Sequence, residues 1–145
     1  MKLYTIGFTH KTAEEFFGLL EKNSVKKLVD TRINNVSQLA GFAKGNDLKY
    51  FVRRILQINY EHKKTFAPTK ELLAEYRKGS MMWDEYKKEY LTLLNDRQIF
   101  NGLDISQLED ACLLCSEHEP HHCHRRLLAE YLQEKFPSIE IIHLQ

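Results

Sequence analysis

The sequence predicts an α/β domain, with a mostly parallel central sheet of about four or five strands flanked by helices. Three observations lead there. Short β-type runs alternate with segments whose apolar residues recur at helical spacing. The first strand, helix and second strand fit within about thirty residues, the size of a βαβ unit. Reactive side chains concentrate between Cys115 and Arg126, where a strand hands over to a helix, and α/β domains hold ligands at such points.

Residues 3–7 form a short β-type run that a glycine stops. Thr12 and Glu15 are spaced for a capping box, in which hydroxyl and carboxylate each satisfy a free amide at a helix start. Phe16, Phe17, Leu19 and Leu20 follow at helical spacing, and the helix ends near Lys22 and Asn23. A second strand covers 25–31, with Asp30 and Arg32 at its carboxyl end. Residues 34–46 read as loop, and a helix over 47–58 sets Leu48, Phe51, Val52, Ile55 and Leu56 on one side. A short strand at 59–62 precedes helices over 69–78 and 80–100, the longer one carrying Trp83, Tyr86, Tyr90, Leu91 and Leu94. Strands at 111–115 and 139–144 enclose a helix over 123–135. No repeat, low-complexity tract or linker interrupts the chain, so one domain over 1–145 is expected.

A chain of 145 residues is long enough for one proper core, and shares of 43% hydrophobic and 28% charged residues are those of ordinary globular proteins. The formal net charge of +1 gives no overall footprint for nucleic acid or an anionic membrane. No run nears the ~18 apolar residues of a membrane span, and the start of the chain lacks a signal-peptide core, so a cytoplasmic protein without membrane contact is expected. The three cysteines are odd in number and all follow residue 110. In a reducing compartment they read as thiols or ligands, not as a disulfide framework.

Cys112 and Cys115 have the CxxC spacing, but residues three apart in a strand face opposite sides and lie roughly 10 Å apart. Cys112 therefore reads as a small buried filler. Cys115 ends the strand and Cys123 begins the helix, so the loop between them brings both thiols to one rim. Helix-start amides lower a thiol pKa there, with His124 and Arg125 adjacent. Three roles stay open for these thiols: nucleophile, metal ligand, or bystander in a donor-lined anion site. The structural alternative is a turn with buried thiols. Glu117 reads as a general base, a metal ligand or the partner of an arginine. His118, His121 and His122 read as exposed loop residues, and Trp83, Tyr86 and Tyr90 as core.

The pattern C-x-E-x-x-P-x-x-C-H-R, here Cys115, Glu117, Pro120, Cys123, His124 and Arg125, resembles the signature of the family called domain of unknown function 488. The opening YTIGFT, the strand end VDTR and the closing helix and strand are also similar, so the resemblance covers nearly the whole chain. It implies an α/β fold in a prokaryotic-type intracellular protein, and no established activity or cofactor. Relatives often carry a proline and then a Ser-Arg pair after the second strand. This chain reads DTRINNVSQ, keeping Asp30, Arg32 and Ser37 but having Asn35 and Gln38. The resemblance groups Thr5, Gly7 and Thr9 after strand one with Asp30 and Arg32 after strand two and with the Cys115–Arg125 stretch. In a parallel sheet all three lie on the carboxyl edge.

The favoured expectation is an enzyme that binds a small anion there. Arg32 and Arg125, with Thr9, Asp30 and Ser37, would form the anion site; Cys115 or Cys123 would be the reactive thiol, and Glu117 or His124 would move protons. The alternatives are a zinc or iron site built on Cys115, Cys123 and His124, in which adjacent Cys-His ligands are awkward, and a nucleic-acid-binding module using Arg53, Arg54, Lys63, Lys64, Arg125 and Arg126. Asp30 and Arg32 share a strand face and are expected to pair with Glu117 or Arg125.

Overall fold

The computed structural model describes residues 1–36 and 41–145. Strands β1 (Lys2–Gly7), β2 (Lys27–Asp30), β3 (Asn59–His62), β4 (Ala111–Cys115) and β5 (Glu140–Leu144) form one sheet in the order β3-β2-β4-β1-β5. Every neighbouring pair is parallel, as the alternation of strands and helices predicts. The helices are α1 (Ala13–Lys22), α2 (Gly45–Phe51), α3 (Lys70–Arg77), α4 (Trp83–Asp96) and α5 (His124–Lys135).

Strand side chains alternate between two apolar layers. Leu3, Val29, Ala111 and Leu113 pack with Leu72 of α3, Tyr86, Tyr90 and Leu94 of α4, and Leu127, Leu128 and Leu132 of α5. Tyr4, Ile6, Leu28, Cys112 and Leu114 pack on the other face with Phe16, Phe17 and Leu20 of α1 and Leu48 of α2. Both faces of the sheet are thus covered, which is why β4 reads ACLLC with no polar residue. Cys112 is fully buried in the second layer, the filler its spacing predicts.

The first two strands are not neighbours. The chain leaves β1, places β2 and β3 to one side, and returns to insert β4 between β1 and β2. The carboxyl ends of three strands therefore meet, with Gly7 in register with Cys115 and Asp30 with Leu114. The site lies on this edge.

Several predicted boundaries move for local reasons. The capping box forms: the Thr12 hydroxyl accepts from the Glu15 amide at 3.1 Å and Glu15 Oε1 accepts from the Thr12 amide at 3.4 Å. β2 begins at Lys27 and not at residue 25, because the Val25 amide closes α1 by donating to Leu20 O at 3.1 Å. α4 begins at Trp83 and not at Ser80, whose amide bonds back to Glu75 of the preceding helix at 3.1 Å. The helix expected over 47–58 starts earlier, at Gly45, and widens into a π turn at Val52–Leu56. Part of the expected loop is a 3₁₀ turn at Gly41–Ala43, and Ser37 lies outside the described residues.

Gly7 is where β1 meets the cysteine loop. A Cβ there would overlap the carbonyl of Glu117 and come within 2.8 Å of Nη1 of Arg125. Gly18 on α1 has open space around it. Gly7→Ala should therefore cost at least about 3 kcal/mol, because backbone must move. Gly18→Ala should instead add roughly 0.5–1 kcal/mol by restricting the unfolded chain. Urea unfolding of both variants measures the contrast.

Candidate active site

β4 ends on Cys115, and the loop returns to Cys123, whose extended backbone (φ −133°, ψ 142°) caps α5. The two sulfurs are in bonding contact, with Cα atoms 7.7 Å apart. The convergence predicted for these thiols is met, but the expectation that no cysteines would be bridged is not. The loop folds back because Thr9 of the β1–α1 connection holds it: the Thr9 hydroxyl donates to Ser116 O, as does the Thr9 amide at 3.2 Å. Thr9 thus ties loop to loop.

Arg125 lies one residue past the start of α5, fully buried beneath this loop. Its Nη1 donates to Cys115 Sγ at 3.0 Å and reaches Cys123 Sγ at 3.8 Å. Nη1 also donates to Glu117 O, Nη2 to His118 O at 3.0 Å, and Nε to the Thr5 hydroxyl at 3.4 Å. Thr5 Oγ1 can then donate to Nδ1 of His143, 2.6 Å away. Among the described residues Arg125 has no ion pair with a carboxylate. Burial pulls its pKa down to about 10, so it remains cationic at neutral pH. Glu117 meets Arg125 only through its backbone; its carboxylate is half exposed and sits 3.7 Å from Arg77.

Asp30 and Arg32 pair with each other, and not with Glu117 or Arg125 as expected. The fully buried Asp30 takes Nε and Nη2 of Arg32 at 2.9 and 2.8 Å in a bidentate pair. Tyr60 OH donates to Asp30 Oδ2 at 2.5 Å, and His62 Nε2 donates to Arg32 O at 2.6 Å. Asn35 Nδ2 lies 3.1 Å from Tyr60 OH and 3.2 Å from His62 Nδ1. Asn35 thus braces this network. Arg32 Nη1 is buried without a hydrogen-bond partner among the described residues.

His124 is buried and faces back toward β2. Its Nε2 lies 2.9 Å from Thr31 O and 3.0 Å from Thr31 Oγ1, whose own proton goes to Leu114 O at 2.8 Å. A carbonyl accepts only, so the network assigns the hydrogen to Nε2 and leaves the lone pair on Nδ1. A ligand atom of His124 lies within 4.8 Å of both sulfurs. The N-cap turn thus brings the adjacent Cys123 and His124 side chains near each other, with ligand atoms within 4.8 Å.

A cavity of about 310 Å³ opens beside these groups, lined by Phe8, Arg32, Tyr76, Arg77, Cys115 and Glu117 among others. Sequence reading grouped Thr5 with this edge but missed His143, Tyr60 and His62 as parts of the site. The parallel register, which sets His62 beside Asp30, is the signal that reveals two of them. His118 bonds Thr9 O at 3.1 Å, and His121 and His122 stack on each other, with His122 also on Trp83. Of the basic residues in the nucleic-acid alternative, Arg125 is interior and Arg126 pairs with Glu130 at 2.9 Å.

Burial pulls the His124 imidazole down to about 4, against about 6.5 in an unfolded chain. Below about pH 6.5 the unfolded state binds a proton that the folded state refuses. Stability is then full above that pH and declines as pH falls toward 4, by up to about 3 kcal/mol. In the metal-free protein, His124→Gln should remove that part of the decline. Thermal unfolding of both proteins across this window measures it.

No curated protein and no solved structure matches the chain. The family model described as Domain of unknown function DUF488 matches residues 12–132. That span holds β2, the whole cysteine loop and most of α5, and on it this protein belongs to the DUF488 family.

Proposed function

We propose that this protein is a thiol-dependent enzyme acting on a small anionic substrate, with Cys115 as the nucleophile and Cys123 as the second thiol. The observation that carries this reading is Arg125. A guanidinium taken out of water needs a counter-anion, and once the bridge is reduced the nearest groups able to supply one are the sulfurs of Cys115 and Cys123. The pairing favours the thiolate of Cys115 over its thiol. The start of α5 at Cys123 adds its amides to the same effect. Cys112 is the internal contrast: three residues earlier on β4, burial pushes its thiol well up, and it stays neutral.

Two thiols at one point suit attack on sulfur. Cys115 thiolate attacks a sulfur of a disulfide substrate, and the first substrate thiolate leaves with its electron pair. Cys123 thiolate then attacks Cys115 Sγ, expels the second substrate thiolate and closes the Cys115–Cys123 bridge. Two electrons have passed to the substrate, and a thiol reductant returns them. The departing thiolates take their protons from water; Glu117, the one carboxylate among the described residues lining the cavity, faces Arg77 across 3.7 Å. His124, neutral at pH 7, acts as a brace between β2 and α5.

Peptide-resolved alkylation of the reduced, native protein from about pH 5 to about pH 9 tests this. Cys115 should half-titrate at least about one unit below the free-thiol value near 8.5. Arg125→Gln should move it up by about a unit or more, and Arg125→Lys should restore part of the effect. A Cys115 that stays silent until denaturation would contradict the reading.

A second reading rests on Cys115, Cys123 and His124 having ligand atoms within 4.8 Å of one another, with an Nδ1 lone pair on His124. Reduced thiols and this imidazole would suit zinc, with a fourth position open. His124 donating its other nitrogen to a backbone carbonyl is the usual support for such a ligand. Elemental analysis after purification separates the readings. The thiol enzyme should carry well under about one zinc per chain, whereas one tightly held zinc that blocks alkylation would favour the metal.

A further inference from the structure

The cavity beside Cys115 has a recognition element of its own. Arg32 is 5% exposed, and three of its contacts are fixed: Nε and Nη2 to Asp30, and Nη2 to Ala43 O at 2.7 Å. Nη1 is left buried and unpartnered among the described residues, on a side chain that lines the cavity. Native structures rarely leave such a donor orphaned, since it forfeits a hydrogen bond to water. The guanidinium cannot turn away to find one. Asp30 grips it in the fork geometry, Tyr60 and His62 hold the pair, and the Phe8 ring lies 5.2 Å from its Cζ.

Charge counting narrows what the donor accepts. Of the two arginines lining the cavity, Arg32 is balanced by Asp30 and Arg77 faces Glu117. No cation in the cavity is in excess, so a polyanion has nothing to neutralise it. A single delocalised charge, hydrogen-bonded at Nη1, is tolerated. One part of the wall is carbon, from Phe8, Leu73 and the rings of Tyr76 and Tyr86, while Asn34, Ser116 and His122 add polar groups elsewhere. A volume of about 310 Å³ is at the small end for ligand sites, room for about ten waters.

We propose that this cavity binds a small organic monoanion, a carboxylate or sulfonate on an apolar or aromatic body, through Nη1 of Arg32. The inference rests on the thiol-enzyme reading for what happens next to the ligand, but not for its binding. It also divides the two arginines that the sequence groups together. Arg32 reads the anion, while Arg125 belongs to the thiols.

Benzoate, benzenesulfonate, benzyl alcohol and inorganic phosphate serve as probes, with binding followed by calorimetry and by amide chemical shifts of the reduced protein. Benzoate or benzenesulfonate should bind at least about tenfold more tightly than benzyl alcohol and than phosphate, the scale of one charge-assisted hydrogen bond. Arg32→Gln should remove that preference. Because it strands the Asp30 carboxylate, the paired variant Asp30→Asn/Arg32→Gln is measured too, with melting curves to confirm folding. Equal binding of benzyl alcohol and benzoate, binding of phosphate as tight as that of benzenesulfonate, or no binding of either aromatic anion would each overturn the proposal. Alkylation of Cys115 in ligand-free samples keeps the two ideas apart. An activated Cys115 without anion binding sinks only this inference, and anion binding beside an inert Cys115 sinks only the thiol reading.

Discussion

A single buried cation organises this molecule's carboxyl edge. Arg125 is drawn beneath the loop between β4 and α5, and its donors reach two sulfurs, two loop carbonyls and the Thr5 hydroxyl of β1. Those partners fix the loop's path. They also explain Gly7, since any side chain there would occupy the space of the Glu117 carbonyl and the guanidinium. A buried guanidinium with no carboxylate is expensive. In the proposed account, reducing the Cys115–Cys123 bridge frees two nearby thiols, one of which ionises to offset that cost.

The second buried arginine shows the opposite solution. Arg32 has a full carboxylate partner, and the pair is locked from β3 by Tyr60 and His62. Its charge is answered within the protein, so it can offer a directed donor to a ligand without presenting net charge. The two arginines stand on either side of Cys115 because β4 is inserted between β1 and β2. Sheet topology therefore sets the chemistry's layout, and the side chains supply its sign.

Much of this was legible in the residues. The apolar run at 111–115 gives β4 to the residue, since a strand covered on both faces has no polar position. Thr12 and Glu15 announce α1 through spacing alone. The strand alternation that puts Cys112 in the core also separates it from Cys115. The burial of Arg125 was legible too. With Leu128 and Leu132 it follows the i, i+3, i+7 stripe of the buried face, while Arg126 and Glu130 make the i, i+4 pair of the exposed one. Other features were beyond sequence reading. That Glu117 would meet Arg125 through its carbonyl and not its carboxylate depends on backbone, which residue type does not encode. Tyr60 and His62 join Asp30 only because β3 pairs with β2, and strand order is not written in local pattern. The bridging of Cys115 and Cys123 depended on the loop's return, which Thr9 and Arg125 enforce from distant parts of the chain.

The central claim is that the Arg125 charge is answered by a thiolate on Cys115. Ultraviolet thiolate absorbance of the reduced protein, titrated with pH, reads this without any reagent entering the cavity. The account predicts that one thiolate is at least half formed by about pH 7.5 and that the early signal is lost in Cys115→Ser. If absorbance rises only above about pH 8.5, or if the early signal survives in Cys115→Ser, Arg125 is paired with something else and the account fails.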